Sequence, residues 1–106
     1  MMILRTCYPR GARFDESYFR TKHLPLAGRL MAPYGVSRVE VMRVTGGGGA
    51  PEAPYQLVVS VYFESSGKLA EAMRSPELAQ VMADVPNYFD GRPDVLVGEL
   101  VDVGGP

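Results

Sequence analysis

The sequence has little net charge and little sulfur chemistry. Its 106 residues include 11 basic and 12 acidic side chains, which leave a net charge of −1 at pH 7. Such a balance offers no electrostatic footprint for nucleic acid or for an anionic membrane surface. The single cysteine, Cys7, excludes an internal disulfide and any cysteine cluster for a metal. We therefore expect no nucleic-acid or membrane partner, and we identify no metal ligands.

Long apolar runs and targeting signals are also absent. The N-terminal residues contain no basic segment followed by an apolar one, and no stretch is apolar for long enough to span a membrane. These features predict a cytoplasmic protein. A chain of 106 residues without internal repeats suits one domain with its own core, so we expect residues 1–106 to form a single domain.

What the sequence does contain is an alternation of strand and helix patterns. Apolar residues at every second position predict strands, and apolar residues at helical spacing predict helices. The predicted strands cover residues 2–8, 36–44, 55–64 and 95–103, and the predicted helical regions cover residues 15–32 and 65–85. Residues 85–91 are predicted to form an aromatic loop. The order strand, helix, strand, strand, helix, strand predicts a ferredoxin-like α+β fold, with a four-stranded antiparallel sheet covered by helices on one face.

Both helical regions are predicted to be broken. Pro25 lacks a backbone donor and its ring clashes with the carbonyl of Thr21, so a kink or restart is expected near His23. Ser75 followed by Pro76 is typical of a helix cap and a first helical residue, which predicts a restart in the second region.

Residues 45–54 are rich in glycine and proline and connect two predicted strands. A phosphate-binding glycine loop needs a strand before it, a helix after it and a Lys-Ser/Thr ending. Here a strand follows the glycines. We therefore interpret residues 45–54 as a flexible hairpin connection.

The predicted sheet carries apolar side chains on both faces, as the neighbours Leu57 and Val58 and the neighbours Leu96 and Val97 indicate. Helices cover only one of these faces, so the other needs a different cover. We predict a homodimer in which two copies pair through this second face.

The only histidine, His23, falls on the apolar side of the first helical region. A histidine in this setting is either a packed core residue with hydrogen-bond partners or a group that exchanges protons. Spacing alone leaves both interpretations open. Counted at helical spacing from Phe19, the predicted stripe contains His23, Leu26, Ala27, Leu30 and Tyr34.

Five further polar residues are candidates for the same site. Arg5 lies within the first predicted strand. Tyr62 and Ser60 share one face of the third strand, where their hydroxyls either line a pocket or satisfy local backbone groups. Asp84 and Asn87 follow the second helical region, and they either orient the imidazole or serve as a helix-end charge and a loop residue.

Short segments in a recognisable order run through nearly the whole chain. They are Phe14-Asp15, Tyr18-Phe19, His23-Leu24-Pro25-Leu26, Arg38-Val39-Glu40-Val41, Pro54-Tyr55, Ser75-Pro76-Glu77 and Asp84-Val85-Pro86-Asn87-Tyr88-Phe89. In this order and spacing the sequence resembles the EthD family of small dimeric α+β barrel proteins.

The resemblance implies a subunit whose sheet pairs with that of a second copy, as in muconolactone isomerases and the small cofactor-free quinone-forming monooxygenases. It also implies a pocket between the sheet and the helices. His23 matches the family's helix histidine, and Asp84, Pro86, Asn87 and Phe89 match the exit of its second helix. The glycine run at residues 46–49 departs from the family pattern.

These residues and the resemblance predict an enzyme of a degradative or biosynthetic pathway that acts on a small apolar cyclic or aromatic ligand. His23 is the candidate general acid or base, because an imidazole exchanges protons near neutral pH. Arg5 or Tyr62 would stabilise an enolate or phenolate. The expected chemistry needs no cofactor. It is isomerisation or cyclisation after proton abstraction, or oxidation of the resulting carbanion by oxygen.

Two alternatives stay open. The first is a non-catalytic protein that binds a hydrophobic ligand or assists an oxidative pathway. It is favoured by the lack of paired carboxylates, of a Ser-His-Asp set and of enough ligands for zinc. The second is a haem protein with His23 as the axial ligand, since relatives with this barrel include haem proteins.

Overall fold

The computed structural model describes residues 1–49 and 52–105 and contains a four-stranded antiparallel sheet with helices on one face. The strands lie in the order β2-β3-β1-β4, so the two strands of the central hairpin occupy one edge and the centre. This arrangement confirms the predicted ferredoxin-like α+β fold. The strands are β1 (Met2–Pro9), β2 (Val36–Arg43), β3 (Tyr55–Phe63) and β4 (Asp94–Glu99).

The first helical region is broken where the sequence predicts a break. Its middle section is a π-helical turn, in which the N–H of Leu24 donates to the carbonyl of Phe19. Such a turn adds a residue to the helix just before Pro25, which has no N–H to donate. The segments are α1 (Glu16–Tyr18), the π-helical turn (Phe19–His23), α2 (Leu24–Met31) and a 3-10 turn (Ala32–Tyr34).

The added residue changes which side chains face the core after His23. Met31 is buried and Leu24 packs on the aromatic core, whereas Leu26 belongs to neither hydrophobic cluster. The stripe predicted at regular helical spacing is therefore wrong at Leu26, whereas Ala27, Leu30 and Tyr34 pack against the second cluster as predicted. A π-helical turn shifts the phase of all later positions by one residue, and a count at 3.6 residues per turn does not include that shift.

The second helical region consists of α3 (Ser66–Met73) and α4 (Pro76–Ala83). The predicted restart at Ser75 is confirmed. Its hydroxyl accepts a hydrogen bond from the N–H of Leu78 at 3.1 Å and donates to the carbonyl of Ala72 at 2.6 Å. The predicted aromatic loop begins instead with a 3-10 turn over Val85–Asn87. Pro86 in that turn has no N–H, and the first turn of a helix leaves that donor unused in any case.

The last strand is shorter than predicted, because β4 ends at Glu99 and not at residue 103. Glu99 pairs with Met2, the first residue of β1, and the N–H of Leu100 reaches the carbonyl of Met1 at 2.9 Å. Residues 101–105 have no further strand partner in β1. The apolar pattern at Val101 and Val103 therefore does not extend the sheet.

The hairpin between β2 and β3 contains the glycine run. Residues 46–49 lie in this connection, which is followed by a strand as predicted. Ala50 and Pro51, which the sequence places in the same connection, lie outside the described residues.

Alternation along the strands divides the side chains between the two faces of the sheet. Leu4 and Tyr8 of β1 face the helices, whereas Arg5 and Cys7 face the opposite side. Cys7 is buried on that opposite side and belongs to neither hydrophobic cluster. Two clusters lie between sheet and helices. One is aromatic around Tyr8, Phe19, Tyr88 and Phe89, and the other contains Leu4, Met31, Phe63, Leu69, Ala72 and Val81.

Candidate active site

A cavity of about 620 Å³ lies between the helices and the sheet. Its wall is almost entirely aliphatic and aromatic, with contributions from β1, β2, β3, β4, α2 and α4. Among the described residues of the wall, the side chains that carry polar groups are Thr6, Tyr8 and His23. A largely apolar cavity with a few polar groups is the usual form of a small-molecule site.

His23 is held in this wall by hydrogen bonds to both ring nitrogens. Nδ1 is 3.0 Å from Oδ2 of Asp84, and Nε2 is 3.1 Å from the hydroxyl of Tyr88. The ring of Phe19 stacks on the imidazole at a centroid distance of 5.6 Å. Only 5% of His23 is exposed, so the ring has one fixed orientation.

Asp84 is held in position to accept a hydrogen bond from Nδ1–H of His23. Its other carboxylate oxygen accepts hydrogen bonds from the Tyr18 hydroxyl at 2.7 Å and from the Asn87 amide at 2.9 Å. Burial alone would raise the pKa of Asp84, but the hydrogen bonds from Asn87, Tyr18 and His23 outweigh it and hold the pKa below its ordinary value. Asp84 is therefore ionised and accepts from Nδ1–H. This network leaves Nε2 without a proton, as an acceptor for the Tyr88 hydroxyl.

Burial also lowers the pKa of His23, while the hydrogen bond and charge of Asp84 act in the opposite direction. The balance leaves the pKa below the ordinary value of about 6.5. Neutral imidazole is therefore the dominant form at pH 7. This form accepts a proton and so can act as a general base.

Two tyrosines continue the hydrogen-bond chain away from His23. The hydroxyls of Tyr88 and Tyr8 are 2.6 Å apart, and both side chains are almost fully buried. Burial raises the pKa of Tyr8, an effect that its hydrogen bond to Tyr88 opposes. Burial, followed by the proximity of Tyr8, raises the pKa of Tyr88 strongly. Both phenols are therefore protonated at neutral pH.

Sequence reasoning placed neither Tyr8 nor Tyr88 in the site. A signal for Tyr8 exists, since it shares a strand face with Leu4 and a buried tyrosine hydroxyl needs a partner. Its partner lies 80 residues later in the chain, so pattern alone does not identify it.

The structure brings Asp84 and Asn87 to His23 but places Arg5 and Tyr62 elsewhere. Nε of Arg5 donates to the hydroxyl of Ser60 at 2.9 Å, and the Tyr62 hydroxyl donates to Glu40 at 2.7 Å. These bonds lie on the face of the sheet opposite the helices. Neighbouring residues of a strand point to opposite faces, so Arg5 lies across the sheet from the cavity that Leu4 and Thr6 line.

The environment of His23 does not suit a role as the axial ligand of a haem iron. Both nitrogens of His23 are hydrogen-bonded, and neither is open to an iron atom. Within residues 1–49 and 52–105, no group of three or more His, Cys, Asp or Glu side chains is arranged to hold a metal ion. In the same part of the chain, no helix combines the length and the apolar character that crossing a membrane requires.

The single histidine allows a direct check of its protonation. We expect the imidazole resonances of His23 to titrate with a pKa below about 6.5, because burial disfavours the charged ring. Replacing Asp84 by Asn should lower that pKa further, because it removes the negative charge that favours the imidazolium. Nuclear magnetic resonance titration of the wild type and of Asp84→Asn measures both values. A wild-type pKa above 6.5, or a rise in the variant, would contradict the described environment.

Comparison with known proteins agrees with this architecture. The EthD domain family model matches residues 12–92. The chain is 35% identical over 80 residues to an uncharacterised 11.0 kDa protein in the thcB-thcC intergenic region of Rhodococcus erythropolis, and the match covers 76% of this chain and 73% of that protein.

Solved structures share the fold at low sequence identity. An EthD-like protein from Ralstonia eutropha JMP134 superposes with a TM-score of 0.80 at 23% identity, covering 95% of this chain and 92% of that one. SnoaB, a cofactor-independent oxygenase from Streptomyces nogalater, superposes with a TM-score of 0.67 at 9% identity, covering 96% and 93%. The match of the family model to most of the sequence, together with the relative from Rhodococcus, shows that this chain belongs to the EthD family.

Proposed function

We propose that the protein is a cofactor-independent enzyme that removes a proton from a small apolar cyclic or aromatic ligand. The observation that carries this proposal is the position of His23 in the wall of an apolar cavity, with Nδ1 hydrogen-bonded to ionised Asp84. A histidine oriented by a carboxylate is a common arrangement for a general base. Asp84 stabilises the imidazolium that forms when His23 gains a proton.

The cavity favours a ligand with few polar groups. Its aliphatic and aromatic wall would leave a charged or strongly hydrated ligand without enough partners, which costs free energy. A neutral cyclic molecule with one acidic C–H next to a carbonyl or an aromatic ring meets both requirements. It fits the wall and carries a proton for the base to remove.

The carbanion or enolate that remains has three fates without a cofactor. Reprotonation at another carbon gives an isomer, and attack on an internal electrophile gives a ring. In the third, the carbanion gives electrons to molecular oxygen and combines with it to form a peroxide. The peroxide then loses water and leaves a carbonyl group. The likeness of the fold to SnoaB, a cofactor-independent oxygenase, supports the third fate.

Anthrone tests this proposal because it is a neutral tricycle with an acidic methylene group. We expect purified protein to accelerate conversion of anthrone to anthraquinone, with oxygen uptake equal to the quinone formed. One atom of molecular oxygen becomes the new carbonyl oxygen of the quinone, and the other leaves in water. A panel that adds 2-tetralone and an unsaturated lactone covers the isomerisation fate. The absence of turnover across the panel, with every probe bound, would contradict the proposal.

A second candidate function is ligand binding without chemistry. The hydrogen bonds to both nitrogens of His23 favour it, because a fully satisfied ring also describes a structural histidine. In this case the apolar cavity holds a hydrophobic ligand, or carries it for another enzyme of an oxidative pathway. Binding of a panel compound without conversion over long incubation would favour this function.

We further propose that two copies pair through the face of the sheet opposite the helices. Leu96 and Met42 lie on this face, each 56% exposed in the single chain. Arg38 and Glu40 lie on the same face and form an ion pair at 2.7 Å. A surface that carries both apolar groups and charges of both signs can complement a second copy of itself.

Sedimentation equilibrium at micromolar concentration tests the dimer. We expect twice the chain mass of 11.6 kDa for the wild type and a shift towards the monomer for Leu96→Glu, which places a charge in the paired face. Ala79→Glu, at an exposed position of α4, is the matched control and should stay dimeric. A monomeric wild type would contradict the proposal.

A further inference from the structure

We propose that the ligand proton reaches His23 through two tyrosine hydroxyls, with Tyr8 in contact with the ligand and Tyr88 between Tyr8 and the imidazole. This inference rests on the proposed function, since it assigns the route of the proton to the same base. Three hydrogen bonds in series connect the groups. Their lengths are 2.6 Å from Tyr8 to Tyr88, 3.1 Å from Tyr88 to His23 and 3.0 Å from His23 to Asp84.

The hydrogen-bonding capacity of His23 excludes direct contact of a ring nitrogen with a ligand in this arrangement. Nδ1 donates to Asp84, and the lone pair of Nε2 accepts from Tyr88. Tyr88 is not part of the cavity wall, whereas Tyr8 is. Among the residues that the structure describes, Tyr8 is therefore the residue of the cavity wall whose hydroxyl connects to Nε2 through Tyr88.

The relay moves one proton at each position and leaves both tyrosines unchanged. The ligand C–H proton passes to the Tyr8 oxygen as the Tyr8 proton passes to Tyr88 and the Tyr88 proton passes to Nε2. The C–H electron pair stays on the ligand as a carbanion or enolate. His23 becomes an imidazolium, balanced by the carboxylate of Asp84. The reverse movement delivers a proton back from Tyr8 and completes an isomerisation.

The surroundings of the relay favour this concerted movement over ionisation of a single phenol. Phe14, Phe19 and Phe89 pack around the two tyrosines, with ring centroids 5.1 to 6.1 Å from that of Tyr8. Hydrogen bonds in such an apolar setting strengthen one another. Because burial raises the pKa of both phenols, each loses its proton only as it gains another.

Tyr88→Phe gives opposite results for the relay and for direct catalysis by His23. If the relay operates, kcat for anthrone falls by about 10²-fold or more while KM changes little, because the base loses its connection to the cavity. If His23 acts directly, the variant frees Nε2 and kcat stays the same or rises. Tyr55→Phe removes a hydroxyl bonded to Asp94, outside the chain of hydrogen bonds, and is the matched control. It should keep wild-type turnover.

The pH profile separates the relay from a purely structural role of Tyr88. The titratable groups that contact the His23 ring are Asp84 and Tyr88, with Tyr18 and Tyr8 one hydrogen bond further away. Wild-type kcat/KM should fall as pH falls through the pKa of His23, because the protonated ring accepts no proton. In Tyr88→Phe that acidic limb should disappear from the residual rate. A lower rate with the limb intact would overturn the relay.

A second variant covers the case in which Tyr88→Phe fails to fold. Tyr8→Phe leaves the bond between Tyr88 and His23 intact and removes only the group that contacts the ligand. The same loss of kcat is expected, and wild-type turnover in Tyr8→Phe would overturn the relay. If His23→Gln is inactive while both tyrosine variants remain active, the relay fails and the proposed function stands. If the wild type itself neither turns over nor exchanges protons with any probe, the proposed function fails.

Discussion

Replacement of His23 by glutamine is expected to lower kcat for anthrone by about 10²- to 10⁴-fold, the usual contribution of a general base. A glutamine amide offers both a donor and an acceptor, so it can partner Asp84 and Tyr88 in place of the imidazole. It accepts no proton at neutral pH. The variant should therefore fold and bind the probe, yet convert it slowly.

Steady-state turnover of His23→Gln beside wild type and Tyr55→Phe tests this expectation. Binding of anthrone by fluorescence or calorimetry shows whether the cavity is intact in each protein. Turnover of His23→Gln within about twofold of wild type would remove His23 from the reaction. A loss of both binding and fold would call for the conservative variant His23→Asn with the same two readouts.

Replacement of Phe63 by alanine should destabilise the fold by about 3–5 kcal/mol, the range for phenylalanine to alanine in a core. Phe63 is fully buried at the end of β3, in the same cluster as Leu4 and Met31. The change removes most of a large side chain, and the rigid sheet restricts collapse around the space that remains. Small domains are stable by only about 5–15 kcal/mol, so this is a large fraction of the total.

Urea denaturation of Phe63→Ala beside Val101→Ala measures the effect. Val101 is 87% exposed, and its truncation should change the free energy of unfolding by less than about 0.5 kcal/mol. A loss below about 1 kcal/mol for Phe63→Ala would contradict the described packing of the second hydrophobic cluster.

The strands and their order along the chain were predictable because strand patterning has a strict period of two. Alternation in β3 assigns Leu57, Val59 and Phe63 to one face, and the structure buries all three. The position of the helix break was also predictable, because Pro25 has a defined steric effect. After the break, Ala27 and Leu30 pack on the core as predicted, but the burial of Met31 and the loss of Leu26 from the core were not predictable. A helix interrupted at proline continues with or without an added residue, and Met31 shows that one was added.

The site was partly predictable. His23, Asp84 and Asn87 were identified from the single histidine and the family resemblance, and they lie in one hydrogen-bond network. Arg5 and Tyr62 were assigned to a pocket without knowledge of which sheet face the helices cover. That depends on the packing of the helices and not on the alternation within a strand. They lie on the opposite face, where Arg5 bonds Ser60.

Tyr8 and Tyr88 mark the limit of inference from local sequence patterns. Each packs as an aromatic core residue, and their hydroxyls meet only after the chain has closed over the sheet. The aromatic rings bury apolar area while the hydroxyls pair with one another and with His23. The same residues therefore contribute to the core and form the proposed proton path.

Anaerobic deuterium exchange tests most directly whether the protein removes a proton from a ligand bound in the cavity beside His23. Without oxygen, removal and return of the proton in deuterium oxide label the ligand with no net reaction, whichever fate follows in air. Anthrone and 2-tetralone incubated with wild type, His23→Gln and Tyr55→Phe are read by nuclear magnetic resonance. We predict labelling well above the uncatalysed rate for wild type and Tyr55→Phe, and near that rate for His23→Gln. Binding of both probes without labelling by the wild type would contradict the account.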